Sequence, residues 1–154
     1  MKKFLALMLS LIMITSFCAC DSNSENKISY KSSMQIMITY NKDANSFSQN
    51  DIVTSKELAT TIIEVMLTQS NLHKTIEDLD FALKYTPNEL KKKIEINNIE
   101  NTSLFDVSVI DSNSETAENI LSAFITNSIS TVNSVFTGFK IGVVTSISTN
   151  QISE

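Results

Sequence analysis

The chain has 154 residues, with twelve lysines and no arginine against seventeen acids, a formal charge of −5, one histidine, one proline, two glycines and no tryptophan. That balance excludes a nucleic-acid partner, since no basic stripe is available to follow a phosphate backbone, and two glycines cannot build a phosphate-cradling loop. The length allows one domain with a sizeable core.

Lys2 and Lys3 precede an eleven-residue apolar core, Phe4 to Ile14. A bilayer span needs roughly 20 residues, so this segment is too short to cross and instead has the layout of a secretory signal. The stretch that follows, "FCAC", looks like a bacterial lipobox: Cys20 is preceded by the small Ala19, with apolar Phe17 three positions back. Cys18 is the poorer candidate because bulky Phe17 would sit next to the cut. Cys20 is therefore expected to carry a thioether-linked diacylglycerol; one acyl chain holds marginally and two hold stably, each buried methylene contributing about 0.8 kcal/mol to membrane binding. Three other readings of the cysteine pair stand beside this one. A metal site would lack ligands, His73 being the lone histidine; a disulfide between Cys18 and Cys20 would close a strained loop; and cleavage by an ordinary signal peptidase would release a secreted product. The expected organisation is a signal peptide at 1–19, a polar tether at 20–29, a domain at 30–148 and a polar tail at 149–154. Without the signal, ten lysines face seventeen acids, a formal −7.

In "SMQIMITY", Met34, Ile36, Ile38 and Tyr40 alternate with polar residues, which predicts a half-buried strand. A helix is expected to start at Thr54 or Ser55, with Leu58, Ile62, Val65 and Met66 as its stripe. A second helix is expected after a break near Ser70, carrying Leu72, Ile76 and Leu79. In "YTPNELKKKI", Thr86 caps, Pro87 takes the first helical position and Glu89 closes a capping box, so a helix of about two turns follows. Lys91 to Lys93 read as a solvated cap at its end. "IEI" (94–96), a turn and "SLFDVSVI" predict a hairpin with Phe105, Val107 and Val109 inward. Ser112 and Glu115 suggest another capping box. The stripe Ala117, Ile120, Leu121, Phe124, Ile129, Val132 and Phe136 predicts a long helix ended by Gly138. A last strand places Phe139, Ile141, Val143 and Ile147 on one face. The order β, α(α), β, β, α, β predicts an α+β fold of ferredoxin-like type, βα(α)ββαβ, with an antiparallel four-stranded sheet and long helices on one face. The other face, carrying Gln35, Ser108 and Lys140, is expected to be wet or lightly covered.

Five segments in this order carry a resemblance: "YKSSMQIMI" from Tyr30, "SKELATT" through "VMLTQSNLHKTI", "TPNELKKKIEI", "NTSLFDVSVID" and "ETAENI". Over residues 30–148 the chain resembles the extracytoplasmic domain of the polysaccharide chain-length determinant (Wzz-like) family. The resemblance implies a non-catalytic regulator or assembly partner in capsular or exopolysaccharide biosynthesis. It also implies oligomerisation with copies of itself or with a full-length chain-length determinant, contact with the polysaccharide polymerase, and no cofactor. The membrane would be met through the lipid on Cys20, at the outer face of the cell membrane. Members usually carry a membrane-spanning helix on each side of the domain, and several activate a cytoplasmic tyrosine kinase. Here a lipoprotein signal replaces the first helix, a second is not expected, and without a cytoplasmic segment direct kinase activation is not expected either. Ser122 stands where the family tends to show Asn. The alternative is a binding lipoprotein that kept the fold and holds a small ligand, glycan or cell-wall component in an aromatic-lined pocket, at residues the sequence leaves unknown.

Catalytic residues are not expected. Asp106, Asp111 and Glu115 are the candidate carboxylates for acid–base work, but Asp111 reads as a strand end, Glu115 as a helix cap and Asp106 as a solvated side chain. His73 reads as a surface residue. Glu77, Asp78 and Asp80 read as a solvated acidic face, and no metal site is expected because a helical pattern offers no Ca²⁺ loop. The methionines of "MQIM" and Met66 read as core filler. The Thr-, Ser- and Asn-rich "TNSISTVNS" of the long helix is the expected lateral contact surface.

Overall fold

The computed structural model describes residues 28–40, 49–79, 85–100 and 102–153. The domain is α+β, with four helices and a five-stranded antiparallel sheet. In chain order the elements are β1 (Ile28–Tyr40), α1 (Gln49–Met66), α2 (Gln69–Glu77), α3 (Pro87–Lys93), β2 (Ile94–Asn98), β3 (Leu104–Asp111), α4 (Ser114–Val135), β4 (Phe139–Val143) and β5 (Ser148–Ser153).

The sheet runs β2-β3-β1-β4, with β5 also paired to β1. β1 is long enough to serve two partners along one edge: β4 pairs with Ile36–Tyr40, and β5 with Ile28–Ser33. Between them the register slips. Val143 lies opposite Ile36 and Ser148 opposite Ser33, so four residues of one edge face two of the other, a bulge that interrupts the ladder. Gln35 spans the gap: its carbonyl accepts from Val144 N at 2.8 Å, and its own amide donates to Thr145 Oγ1 at 2.9 Å. A threonine hydroxyl thus replaces the missing backbone acceptor.

Alternation puts Met34, Ile36, Ile38, Phe105, Val107, Val109, Phe139 and Ile141 on the helix-covered face, all buried. They meet Ile62 and Met66 of α1, Leu72 of α2, and Ile120, Leu121, Phe124 and Val132 of α4. Fully burying an aliphatic or aromatic side chain of this size contributes about 1.5–3 kcal/mol each. The second face is open over Ser33, Gln35, Met37, Thr39 and Lys140. Ser108 is covered there because the Lys31–Glu95 ion pair (3.1 Å) reaches from β1 to β2 across β3.

The α1–α2 break is held from within. Buried Asn71 donates from Nδ2 to the Met66 carbonyl at 2.7 Å and to Ser128 Oγ of α4 at 3.0 Å, while Thr131 Oγ1 donates to Asn71 Oδ1 at 2.8 Å. A buried carboxamide with its groups satisfied by both helices fixes their mutual position.

Several expectations are met: the alternation of β1, the paired helices, the hairpin, and the Thr86–Pro87–Glu89 capping box, in which Glu89 Oε2 accepts from Thr86 N at 2.8 Å. Others are corrected. The sheet has five strands rather than four, because residues assigned to a polar tail from 149 onward form β5. The tether through 29 overlaps the first two residues of β1. The first helix begins at Gln49, so Thr54 and Ser55 lie within it, and the break falls at Leu67–Thr68 rather than Ser70. Asn113, not Ser112, caps α4, its side chain accepting from Thr116 N at 2.9 Å. Gly138 takes φ 86° in the turn into β4, two residues beyond the helix C-cap Phe136. Leu58, Met37 and Val143 are exposed; Ala59 fills the core position beside Leu58.

Candidate functional site

The most connected polar cluster lies at the end of β3. α3 starts on the Thr86 cap and ends at Lys93, where the chain turns directly into β2. Because Ile94 pairs with Val109, Lys93 is delivered beside the last residues of β3. Tyr85, just before the cap, returns to the same place. Asp111, only 4% exposed, receives both: its Oδ2 accepts from Tyr85 Oη at 2.7 Å and from Lys93 Nζ at 2.9 Å. Its Oδ1 accepts from the Asn113 amide at 3.1 Å and from Ser112 Oγ at 3.4 Å. The Lys93 ammonium also lies 4.9 Å from the centre of the Tyr85 ring, a cation–π contact.

Electrostatics lock the three groups. Burial pushes the Asp111 carboxyl up, but hydrogen bonds from Lys93, Tyr85 and the Asn113 amide outweigh it and hold the group below its ordinary value. Burial pulls Lys93 down, and Asp111 more than reverses it, so the ammonium sits above its ordinary value. Burial and then the bond to Asp111 raise Tyr85. Around neutral pH the set is an ionised acceptor between a protonated ammonium and a protonated phenol. Chemically it ties α3 to the end of β3.

The three carboxylates singled out in the sequence are not brought together. Asp106 and Asp111 differ in strand phase and point to opposite faces of the sheet, five residues and roughly 17 Å apart along the strand. Glu115 is exposed in the first turn of α4. Asp106 is half-buried rather than fully solvated, and lines a groove of about 390 Å³ with Ser33, Gln35, Thr145, Ser146 and Ser148. His73 is exposed on α2, 3.4 Å from Glu77, in an open groove of about 430 Å³ with Gln69, Lys74 and Pro87. A third groove, about 450 Å³, is lined by Phe136, Phe139 and Lys140; there the Tyr40 and Phe139 ring centres are 4.8 Å apart. Glu77 and Asp78 are exposed, and Asp78 accepts from Asn127 Nδ2 at 2.8 Å. No group of three His, Cys, Asp or Glu suited to a metal occurs among the described residues, and none of their helices is long and apolar enough to cross a membrane. Cys18, Cys20 and Asp80 lie outside the described residues.

In the expected contact surface "TNSISTVNS", Ser128 is buried, and Asn127 and Thr131 bond to α2, leaving Thr126, Ser130, Asn133 and Ser134 outward. Lys93, expected with Lys91 and Lys92 to be a solvated cap, instead has its ammonium engaged by Asp111. The hairpin register carried part of that signal: with Ile94 facing Val109, Lys93 comes opposite Ile110, one residue from Asp111. Tyr85 had no comparable signal. Comparison with protein-family models and with curated proteins finds no match for this chain.

Proposed function

We infer that this protein is a lipid-anchored extracytoplasmic module of ferredoxin-like topology that works by contact, as a non-catalytic regulator or assembly partner in capsular or exopolysaccharide biosynthesis. The single observation that supports the reading is the strand order β2-β3-β1-β4 with helices following β1 and β3, which is compatible with the split βαβ arrangement expected from the order of elements along the sequence. Chain geometry is compatible with the anchor. β1 begins eight residues after Cys20, and eight residues reach at most about 28 Å when extended. The domain would then stay close to the outer surface of the membrane, within reach of membrane-embedded polymerase and of its own copies. The Asp111 cluster supports a non-catalytic role, since its groups are spent on one another.

The test labels cells with a clickable fatty acid and recovers the tagged chain from detergent-solubilised membranes. The expected outcome is label on the wild type, none on Cys20→Ser, and co-recovery of a chain-length determinant, the polymerase or further copies of the chain. Label without any such partner would reject the polysaccharide role and leave the anchor; an unlabelled wild type would reject the anchor. A ligand-binding lipoprotein is the second reading, favoured by the groove lined by Phe136 and Phe139.

A further inference from the structure

Asp106 occupies a costly place without local return. β3 is an interior strand, flanked by β2 and β1, and aspartate is among the residues least suited to strands. Its register partners are Gln35 on β1 and Asn97 on β2, so the three side chains form one cross-strand row, amide–carboxylate–amide, on the face that no helix covers. None of the three makes a side-chain hydrogen bond or ion pair among the described residues. The cations of this face do not serve them. Lys31 is held by Glu95, and Lys140 pairs in register with Thr39, two same-face rows beyond Gln35. The bulge between β4 and β5 raises Thr145 and Ser146 beside the row, and with Ser33 and Ser148 they wall a groove of about 390 Å³ over Gln35 and Asp106, with Asn97 exposed on β2 at its outer side. Bulges commonly shape sheets next to binding sites.

From this arrangement we propose that the Gln35–Asp106–Asn97 row is a binding site for a small guanidinium-bearing ligand. The row presents a carboxylate with a carboxamide in register on either side, and each carboxamide offers an acceptor oxygen as well as donors. A guanidinium is a planar cation with its donors in a fork, which meets a carboxylate through two parallel hydrogen bonds and has further N–H groups directed sideways. The neighbouring carboxamides can turn their oxygens to accept those. An alkylammonium is a compact, strongly hydrated charge that uses fewer of these acceptors. A neutral sugar would want an aromatic platform, and no aromatic residue lines this groove among the described residues. The chain's net charge of −5 favours a cation over an anion. Because the carboxylate is only half-buried, the contact is weak, with half-saturation in the millimolar range.

The probe is agmatine, added to the isotope-labelled full chain in detergent micelles and followed by amide NMR, with butylamine and sorbitol as parallel arms. Expected are saturable shifts at Gln35, Asn97, Asp106 and Thr145 with agmatine, at least about tenfold weaker responses with butylamine, and none with sorbitol. Asp106→Asn, nearly isosteric, should keep the remaining spectrum and abolish the shifts; Gln35→Ala, which retains the carboxylate, should weaken them several-fold. The proposal is overturned if agmatine up to roughly 50 mM moves none of these amides, if butylamine or sorbitol matches it, or if the response survives in Asp106→Asn.

Discussion

Asp111 illustrates how a single carboxylate can organise two elements. Burying it would be unfavourable on its own, and only the Lys93 ammonium, the Tyr85 hydroxyl and the Asn113 amide make it tolerable. Removing its charge while keeping its shape therefore strands Lys93 and weakens the bond from Tyr85. Asp111→Asn should lower stability by about 1.5–3 kcal/mol, the range for hydrogen bonds to charged groups. The pH dependence follows from linkage. Asp111 is depressed in the folded state, so its contribution is complete above the ordinary carboxylate value of about 3.9 and disappears as pH falls through the lower folded value. Lys93 and Tyr85 are raised, so theirs are complete below their ordinary values near 10 and are lost as pH rises through the folded ones. Urea midpoints measured at acid, neutral and alkaline pH should fall at both ends for the wild type. In Asp111→Asn both limbs should flatten, and limbs of unchanged depth would contradict this account of the cluster.

Among the elements, the join between β4 and β5 depends on one side chain. Thr145 Oγ1 accepts the Gln35 amide at 2.9 Å where a regular ladder would supply a carbonyl. Thr145→Val keeps the β-branched shape and deletes the acceptor. A cost of about 1 kcal/mol is expected, the net worth of one neutral hydrogen bond, together with faster hydrogen exchange at Gln35 and little change at Ile36. Equal acceleration along all of β1 would mean that the bulge is held by something else. Elements whose forming interactions are local were legible in the sequence. The Thr86 cap, Pro87 and Glu89 lie within four positions of one another, and the β3 alternation is carried by Phe105, Val107 and Val109. β5 was not legible, because "STNQIS" contains one apolar residue and no alternation; what makes it a strand is the free edge of β1, a partner more than a hundred residues away. The α1 start was missed for the opposite reason: two plausible capping hydroxyls, Thr54 and Ser55, lie inside a helix that begins at Gln49. Of the site, the hairpin register implied Lys93 near the end of β3, opposite Ile110, whereas Tyr85 arrives by a chain path that no periodicity encodes.

At the scale of the molecule, β1 is the hub, paired to β3 on one edge and to β4 and β5 along the other. Its two halves are not secured alike. Where β4 pairs, Phe139 and Ile141 are buried against the helices. Where β5 pairs, the strand contributes no buried side chain, and its specific contact is the 2.8 Å hydroxyl pair between Ser32 and Thr149. Ladder hydrogen bonds yield about 1 kcal/mol each, while ordering each residue costs about 1–2 kcal/mol, so a polar strand without burial adds little net stability. Truncation after Ile147 should accordingly lower unfolding stability by only about 1–3 kcal/mol. It should also leave the Ile28–Ser33 edge of β1 without a partner, and open edges recruit other strands. The truncated protein is thus expected to unfold cooperatively by urea titration, somewhat earlier than the full chain, yet to self-associate with rising concentration in size-exclusion chromatography. Collapse of the whole fold on truncation would show that β5 is part of the core, and a monomer at all concentrations would show that the β1 edge is protected without it.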